Sequence, residues 1–398
     1  MKDKDAELRV TEIAACIYKT MKTNPYNTVQ GLFGENFGVL LFLYYYADFT
    51  KEKKYVHLAE QVLDKLLTQL ESNLTGFSYS GGYAGIFYLF HFLQEKEFIS
   101  FDFSDSEELI ESYLIKHARN CMRVNDYDYL HGSLGVALYF LKKNPNHPFL
   151  SEYIEFIYHT AEKDFLNHTV KWKTPFGPQK HVYDYYISLS HGMTSMALFL
   201  CRLLKSASFS ASNDCLSMLE GCVNYILLQE IDHTQYGSWF PSTSLENNPS
   251  PRQSRLAWCY GDPGIAWALW QAGIAVNNRQ WQDKAIAIMK YAFLRVNWEQ
   301  TLVDDCGICH GSAGIAMVFR RFYLETHEKI FYDAWIHWID FTLKFKRFDN
   351  GPAGFKTFEL QEWKNDTSLL TGISGIGLSL LSFIRNDLQE WDELFLLS

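Results

Sequence analysis

Cys259, Cys306, Cys309 and His310 are the residues of this chain best suited to hold a metal ion or activate a thiol. Cys259, Cys309 and His310 together offer three zinc ligands and leave a fourth position open, which is the arrangement of a catalytic rather than a structural site. Two thiolates make such a centre electron-rich and receptive to a third sulfur from a substrate. Zinc also keeps a bound thiol deprotonated at neutral pH. The chemistry favoured is sulfur alkylation. Other readings compete for the same residues. Cys306-Gly-Ile-Cys309-His310 fits the covalent haem pattern, which requires an exported chain and leaves Cys259 unused. A thioredoxin-like pair requires βαβ surroundings, which the sequence around it lacks. A closed, inert zinc site would use Cys306 as well as the other three, and this alternative stays open.

The elements that must position these residues are announced by glycine. Gly-x-x-Gly or Gly-x-x-Ser steps occur at Gly82 to Gly85, Gly132 to Gly135, Gly192 to Ser195, Gly261 to Gly264, Gly311 to Gly314 and Gly372 to Gly375, with a looser Gly34 to Gly38 before them. Cys259 and Cys309 each stand two residues before the first glycine of a step. Successive steps lie roughly 50 to 70 residues apart, too far for one helix and suited to a helical hairpin with its loops. Each step opens an apolar run with almost no polar face, such as Gly135-Val-Ala-Leu-Tyr-Phe-Leu, and a helix apolar all round is buried. The partner segments are amphipathic. From Lys51 to Leu70, Tyr55, Ala59, Val62, Leu63, Leu66, Leu67 and Leu70 follow helical spacing with charged residues between them. Seven alternations predict an all-α fold, an α/α toroid of seven inner and seven outer helices. Glycine at the inner-helix starts is expected to let those N-termini approach one another closely.

The repeat spans the chain, so residues 1–398 read as one domain. Ser242 to Ser254 is polar and proline-containing and runs into Arg255 and Cys259, which predicts a rim loop at the site rather than a linker. Residues 97–106 are irregular and have room for a small insertion. The charged N-terminus carries no signal-peptide core, and no apolar run reaches the ~18 to 20 residues of a membrane span. The expected location is cytoplasmic. Cys16, Cys121, Cys201, Cys215 and Cys222 then read as small core residues. A formal charge of -10 without a basic stripe argues against nucleic acid as a partner.

Trp258-Cys259-Tyr260-Gly261, Cys309-His310-Gly311 and Ser188-Leu-Ser-His191-Gly192, taken with the seven glycine-marked repeats, resemble the lanthionine synthetase C (LanC-type) lantibiotic cyclases over essentially the whole chain. The resemblance implies the toroid, one zinc ion, and addition of peptide cysteine thiols to dehydroalanine or dehydrobutyrine to form lanthionine or methyllanthionine rings. Position by position it implies Cys259, Cys309 and His310 as zinc ligands, His191 as acid/base, and Asp128, Arg255 and Tyr260 as its catalytic companions. It implies no other cofactor. The expected partner is a dehydrated precursor peptide with its leader, with a dehydratase and a transporter as candidate companions in a complex peripheral to the membrane. The chain departs from the commoner family pattern at Ser195, where glycine is usual, and in its loose first repeat.

The chemistry itself asks for these residue types. Addition of a thiolate to the β-carbon of an unsaturated amide produces an enolate that must be protonated at the α-carbon. A histidine with a reference pKa near 6.5 can take the thiol proton and return one to carbon. An aspartate can orient that imidazole, and an arginine or tyrosine can stabilise enolate charge. Rival readings remain at this level. Asp126 and Tyr127 compete with Asp128, Arg252 competes with Arg255, and His131 precedes its repeat glycine just as His191 does. A thiol-binding relative that takes glutathione without cyclising peptides is the alternative function. A prenyltransferase-like zinc toroid is a third class, disfavoured by the two-cysteine ligand set.

Overall fold

The computed structural model describes residues 2–23, 30–72, 76–176, 182–246, 248–385 and 390–398. In chain order its elements are α1 (Lys2–Thr23), α2 (Phe37–Thr50), α3 (Lys53–Ser72), α4 (Tyr83–Glu95), α5 (Ser104–Arg123), α6 (Ser133–Lys143) and α7 (Pro148–Thr160). Two antiparallel hairpins follow, β1 (Glu162–Asp164) with β2 (Thr169–Lys171) and β3 (Thr174–Phe176) with β4 (Val182–Asp184). Next come α8 (Met193–Lys205), α9 (Asn213–Leu227), the single turn α10 (His233–Tyr236), α11 (Asp262–Ala275), α12 (Arg279–Leu294), the single turn α13 (Trp298–Thr301), α14 (Ser312–Thr326) and α15 (Lys329–Lys344). A third hairpin, β5 (Thr357–Glu359) with β6 (Glu362–Lys364), precedes α16 (Ile373–Ile384). No helix among the described residues is long and apolar enough to cross a membrane.

The chain folds as two compact units, one of Met1–Gly76, Ser80–Phe101 and Val303–Ser398, the other of Phe77–Tyr79 and Asp102–Leu302. Within the first, α16 packs on α1, α2 and α14, while α3 covers α2 and α15 covers α14. Within the second, α8 packs between α6 and α11, with α9 and α12 outside them. The division of labour follows the sequence pattern. Helix α2 is buried along its whole length from Phe37 to Ala47, and α11 from Asp262 to Gly273. Helix α3 instead buries one stripe, Tyr55, Leu58, Ala59, Leu63 and Leu66. At about 1.5 to 3 kcal/mol for each fully buried large aliphatic or aromatic side chain, the inner helices carry most of the hydrophobic stabilisation.

Six inner helices begin directly after the first glycine of a step, with Gly82, Gly132, Gly192, Gly261, Gly311 and Gly372 as N-caps. The second glycine serves a close approach both to the helix's own loop and to the loop before a neighbouring inner helix, where a Cβ would lie 3.0 Å from Leu189 Cβ at Gly264 and 2.5 Å from Tyr79 Cβ at Gly135. A Cβ at Gly264 would lie 2.6 Å from the carbonyl oxygen of Trp258, six residues earlier, and one at Gly135 would lie 2.4 Å from that of Tyr129. At Ser195 the side chain turns back to donate to the Gly192 carbonyl at 2.8 Å. The first repeat differs from the Gly34 to Gly38 reading by one residue. Its N-cap is Asn36, and Gly38 faces the carbonyl of Leu32, so Glu35 occupies the first-glycine place.

These loops are joined to one another by main-chain hydrogen bonds in a fixed register. The carbonyl two residues before a repeat glycine accepts from the loop before it in the chain. In the second unit Cys259 O takes N–H bonds from Leu189 at 3.0 Å and Ser190 at 3.2 Å. In the first unit Leu370 O takes them from Ile308 at 2.9 Å and Cys309 at 3.0 Å, and Phe33 donates to Ser80 O at 3.0 Å. Residues 97–106 hold a connecting loop and the first turn of α5. Short antiparallel strands lie at 162–164, 169–171, 174–176 and 182–184, where β2 packs on α9. Of the expected rim loop, residue 247 lies outside the described residues; the rest is irregular chain.

Candidate functional site

In the second unit the site is built on three consecutive inner-helix loops. The loop before α6 is shaped by its own aspartates. Asp126, buried, accepts the N–H of Asp128 at 3.2 Å. Oδ1 of Asp128 accepts from Leu130 N at 2.7 Å and His131 N at 2.8 Å. This pins the carboxylate and turns its other oxygen outward. That oxygen, Oδ2, lies 2.5 Å from Nδ1 of His191, on the loop before α8. Asp128, rather than Asp126 or Tyr127, is thus the group that meets the histidine.

The electrostatics follow from this pair. Burial pushes the His191 imidazolium toward neutrality, but the hydrogen bond and charge of Asp128 outweigh it, so its pKa is raised above the usual histidine value. Burial likewise disfavours ionised Asp128, while His191 and the loop N–H groups favour it and hold its carboxyl below the usual range. The His191 ring is stacked against His131 with centroids 6.2 Å apart, and lies 6.0 Å from the ring of Tyr260. His131 is therefore a neighbour of the pair, although the sequence reading left it aside.

The third loop carries Cys259 and Tyr260 and is fixed by unusual backbone. Cys259 is 5% exposed, and its carbonyl receives the Leu189 and Ser190 N–H groups from the loop of His191. Gly261 has φ +90°, a conformation L side chains rarely adopt, and a Cβ there would meet the Arg255 carbonyl at 2.2 Å. Arg255 itself is half-buried just before Trp258-Cys259. The next residue, Asp262, is wholly buried and accepts from Trp239 N at 3.1 Å and Phe240 N at 3.0 Å. Arg295 pairs with it at 3.2 Å and donates further to the carbonyls of Ser254 and Gln300. The Asp262–Arg295 pair was not foreseen, because Arg295 ends an outer helix and belongs to no motif.

In the first unit Cys309 and His310 stand on the loop before α14. Both are half-buried. Asp305, fully buried, accepts from Gly307 N at 3.0 Å and from Phe358 N, on β5, at 2.9 Å. Cys306 is buried, and burial pushes its thiol well above the usual cysteine value. In this setting the thiol packs as a small core side chain.

The profile of the family described as lanthionine synthetase C-like protein matches residues 35–396. The chain belongs to that family. Among its relatives is the nisin biosynthesis protein NisC of Lactococcus lactis subsp. lactis, 25% identical over 83% of this chain and 79% of its own length. The glutathione S-transferase LANCL1 of Danio rerio is 24% identical, over 36% of this chain and 32% of its own. Among solved structures, nisin cyclase superposes with a TM-score of 0.75 at 20% identity, covering 99% of this chain and 98% of its own. The fold is therefore the all-α toroid of that enzyme.

Proposed function

We propose that this lanthionine synthetase C-like protein is a zinc-dependent lanthipeptide cyclase. The observation that carries the proposal is the Asp128–His191 pair, whose histidine loop is hydrogen-bonded to the carbonyl of Cys259. Family membership and the likeness to a nisin biosynthesis protein support a peptide as substrate. The donor set supports the metal: among the described residues, Cys259, Cys309 and His310 are the group of thiol, imidazole and carboxylate side chains suited to hold an ion. Two thiolates and a neutral imidazole, with a fourth position for substrate, suit zinc. Zinc, when bound, supplies a centre that keeps a substrate thiol deprotonated at neutral pH.

The remaining steps fall to the chain's own side chains. The reaction forms one S–Cβ bond, breaks the Cα=Cβ π bond and moves one proton from sulfur to Cα, with nothing leaving. His191 takes the thiol proton and later delivers one to the α-carbon. Asp128 fixes the imidazole through Nδ1, leaving Nε2 as the nitrogen that exchanges protons, and stabilises its charged form. Arg255 and Tyr260 stabilise negative charge on the enolate oxygen. The substrate is a dehydrated precursor peptide presented with its leader, and the whole of 1–398 acts as one domain. A cytoplasmic setting beside a dehydratase and transporter completes the proposal.

A synthetic peptide holding a single cysteine and a single dehydroalanine tests it. Cyclisation leaves the mass unchanged, so free thiol is read by N-ethylmaleimide labelling before and after incubation. The expected result is enzyme-dependent thiol loss, reduced about 10²- to 10⁴-fold in rate by His191→Ala. Persisting thiol with the wild-type protein, or conversion of the peptide to a glutathione adduct only when glutathione is added, would overturn the cyclase reading.

A further inference from the structure

We propose that Asp305 is a positioning residue for His310, fixing which ring nitrogen faces the metal. The inference rests on the zinc reading above and concerns only the first unit. Oδ2 of Asp305 lies 3.4 Å from Nε2 of His310. The carboxylate is held in place independently of the histidine, by Gly307 N on Oδ1 and Phe358 N on Oδ2. A buried carboxylate has about four acceptor sites and is costly to leave under-satisfied, so a third donor is favoured, and the His310 ring, with Nε2 at 3.4 Å, stands in place to supply it. An imidazole that gives its Nε2 proton to a carboxylate is locked in one tautomer, with the lone pair on Nδ1. Nδ1 is then the ligand atom.

The same geometry recurs in the loop before α16, which bears none of the proposed ligands. Asp366 stands six residues before Gly372, as Asp305 stands six before Gly311. Its Oδ1 accepts from Ser368 N at 2.7 Å, and its Oδ2 accepts the hydroxyl of Thr371 at 2.6 Å. Thr371 precedes its glycine as His310 does. In these two loops a carboxylate oxygen from the sixth position before the glycine is aimed at the side chain just before it. In one loop that side chain is an inert threonine, and in the other an imidazole of the donor set.

Zinc affinity, measured by competition with a chromophoric chelator, separates this role from plain loop support. Asp305→Asn is expected to weaken zinc binding about 10- to 100-fold, while Asp366→Asn, which removes the matching brace, leaves affinity unchanged. Equal affinity in Asp305→Asn and wild type, or equal losses in both variants, would overturn the inference. Should Asp305→Asn fail to fold, ¹⁵N NMR of the zinc-loaded wild type decides: a proton on Nε2 of His310 is expected, and metal on Nε2 would overturn it. A wild type that takes up no zinc would sink the zinc reading itself, and this inference with it.

Discussion

Cys259 and Cys309 stand at one register position, two residues before the glycine that starts an inner helix, yet their loops are braced by unlike means. The Cys259 loop relies on a left-handed glycine and on a buried ion pair whose cation arrives from the far end of α12. The Cys309 loop has Gly311 in ordinary extended backbone, with φ -108°, and is braced by Asp305 from within the loop itself. A repeat thus fixes where a side chain emerges without fixing what holds it there. One loop depends on distant residues and the other largely on its own.

The largest effect expected from this contrast is at Arg295. Arg295→Met leaves Asp262 buried without its guanidinium, and should cost about 3 to 5 kcal/mol in urea unfolding. A loss below about 1 kcal/mol would mean the Cys259 loop is no more dependent on distant support than its counterpart. Next comes the glycine pair. Both Gly261→Ala and Gly311→Ala introduce a crowded Cβ, but only the first adds left-handed strain, so it should be the more destabilising by about 1 to 3 kcal/mol. Equal losses would remove backbone conformation from the contrast.

A titration sharpens the comparison on the side of the second unit. Because Asp128 is what raises His191 against the opposing effect of burial, Asp128→Asn should move the His191 midpoint to lower pH, read by NMR of the ring protons. The pair's stabilisation is fully present below the reference histidine pKa of about 6.5 and fades as pH rises through the raised value. An unmoved or higher midpoint would remove Asp128 as the cause. The smallest effect is at Cys306, where Cys306→Ala should cost about 1 kcal/mol and leave metal content intact. Loss of zinc in that variant would revive the closed four-ligand site.

Much of the helical frame was legible because its signals are steric and local. At Gly135, Gly264, Gly314 and Gly375 a carbonyl oxygen from the helix's own loop leaves no room for a Cβ, and the following run has little polar face to show solvent. The hairpins at 162–184 were not legible, since three-residue strands are too short to display alternation. At the site, spacing singled out the cysteines, but nothing in it joins Asp128 to a histidine 63 residues later. That pairing came from family resemblance, and the choice of Asp128 over Asp126 needed the loop's hydrogen bonds. Arg295 and Asp305 escaped notice because their roles depend on contacts made across the fold or around a turn, not on motif membership.

The lacing at the carbonyls of Ser80, Cys259 and Leu370 uses main-chain groups two and three residues before a repeat position. The side chains three before the glycine, such as Tyr129, Leu189, Trp258 and Ile308, are buried in the core, whereas the residue just before the glycine takes no part in the lacing. Gly81, His131, His191, Tyr260, His310 and Thr371 occupy that last position in six of the repeats. Such a scaffold is evolvable in a specific sense: new chemistry can be installed one loop at a time, by single replacements at this position that leave the main-chain lacing in place.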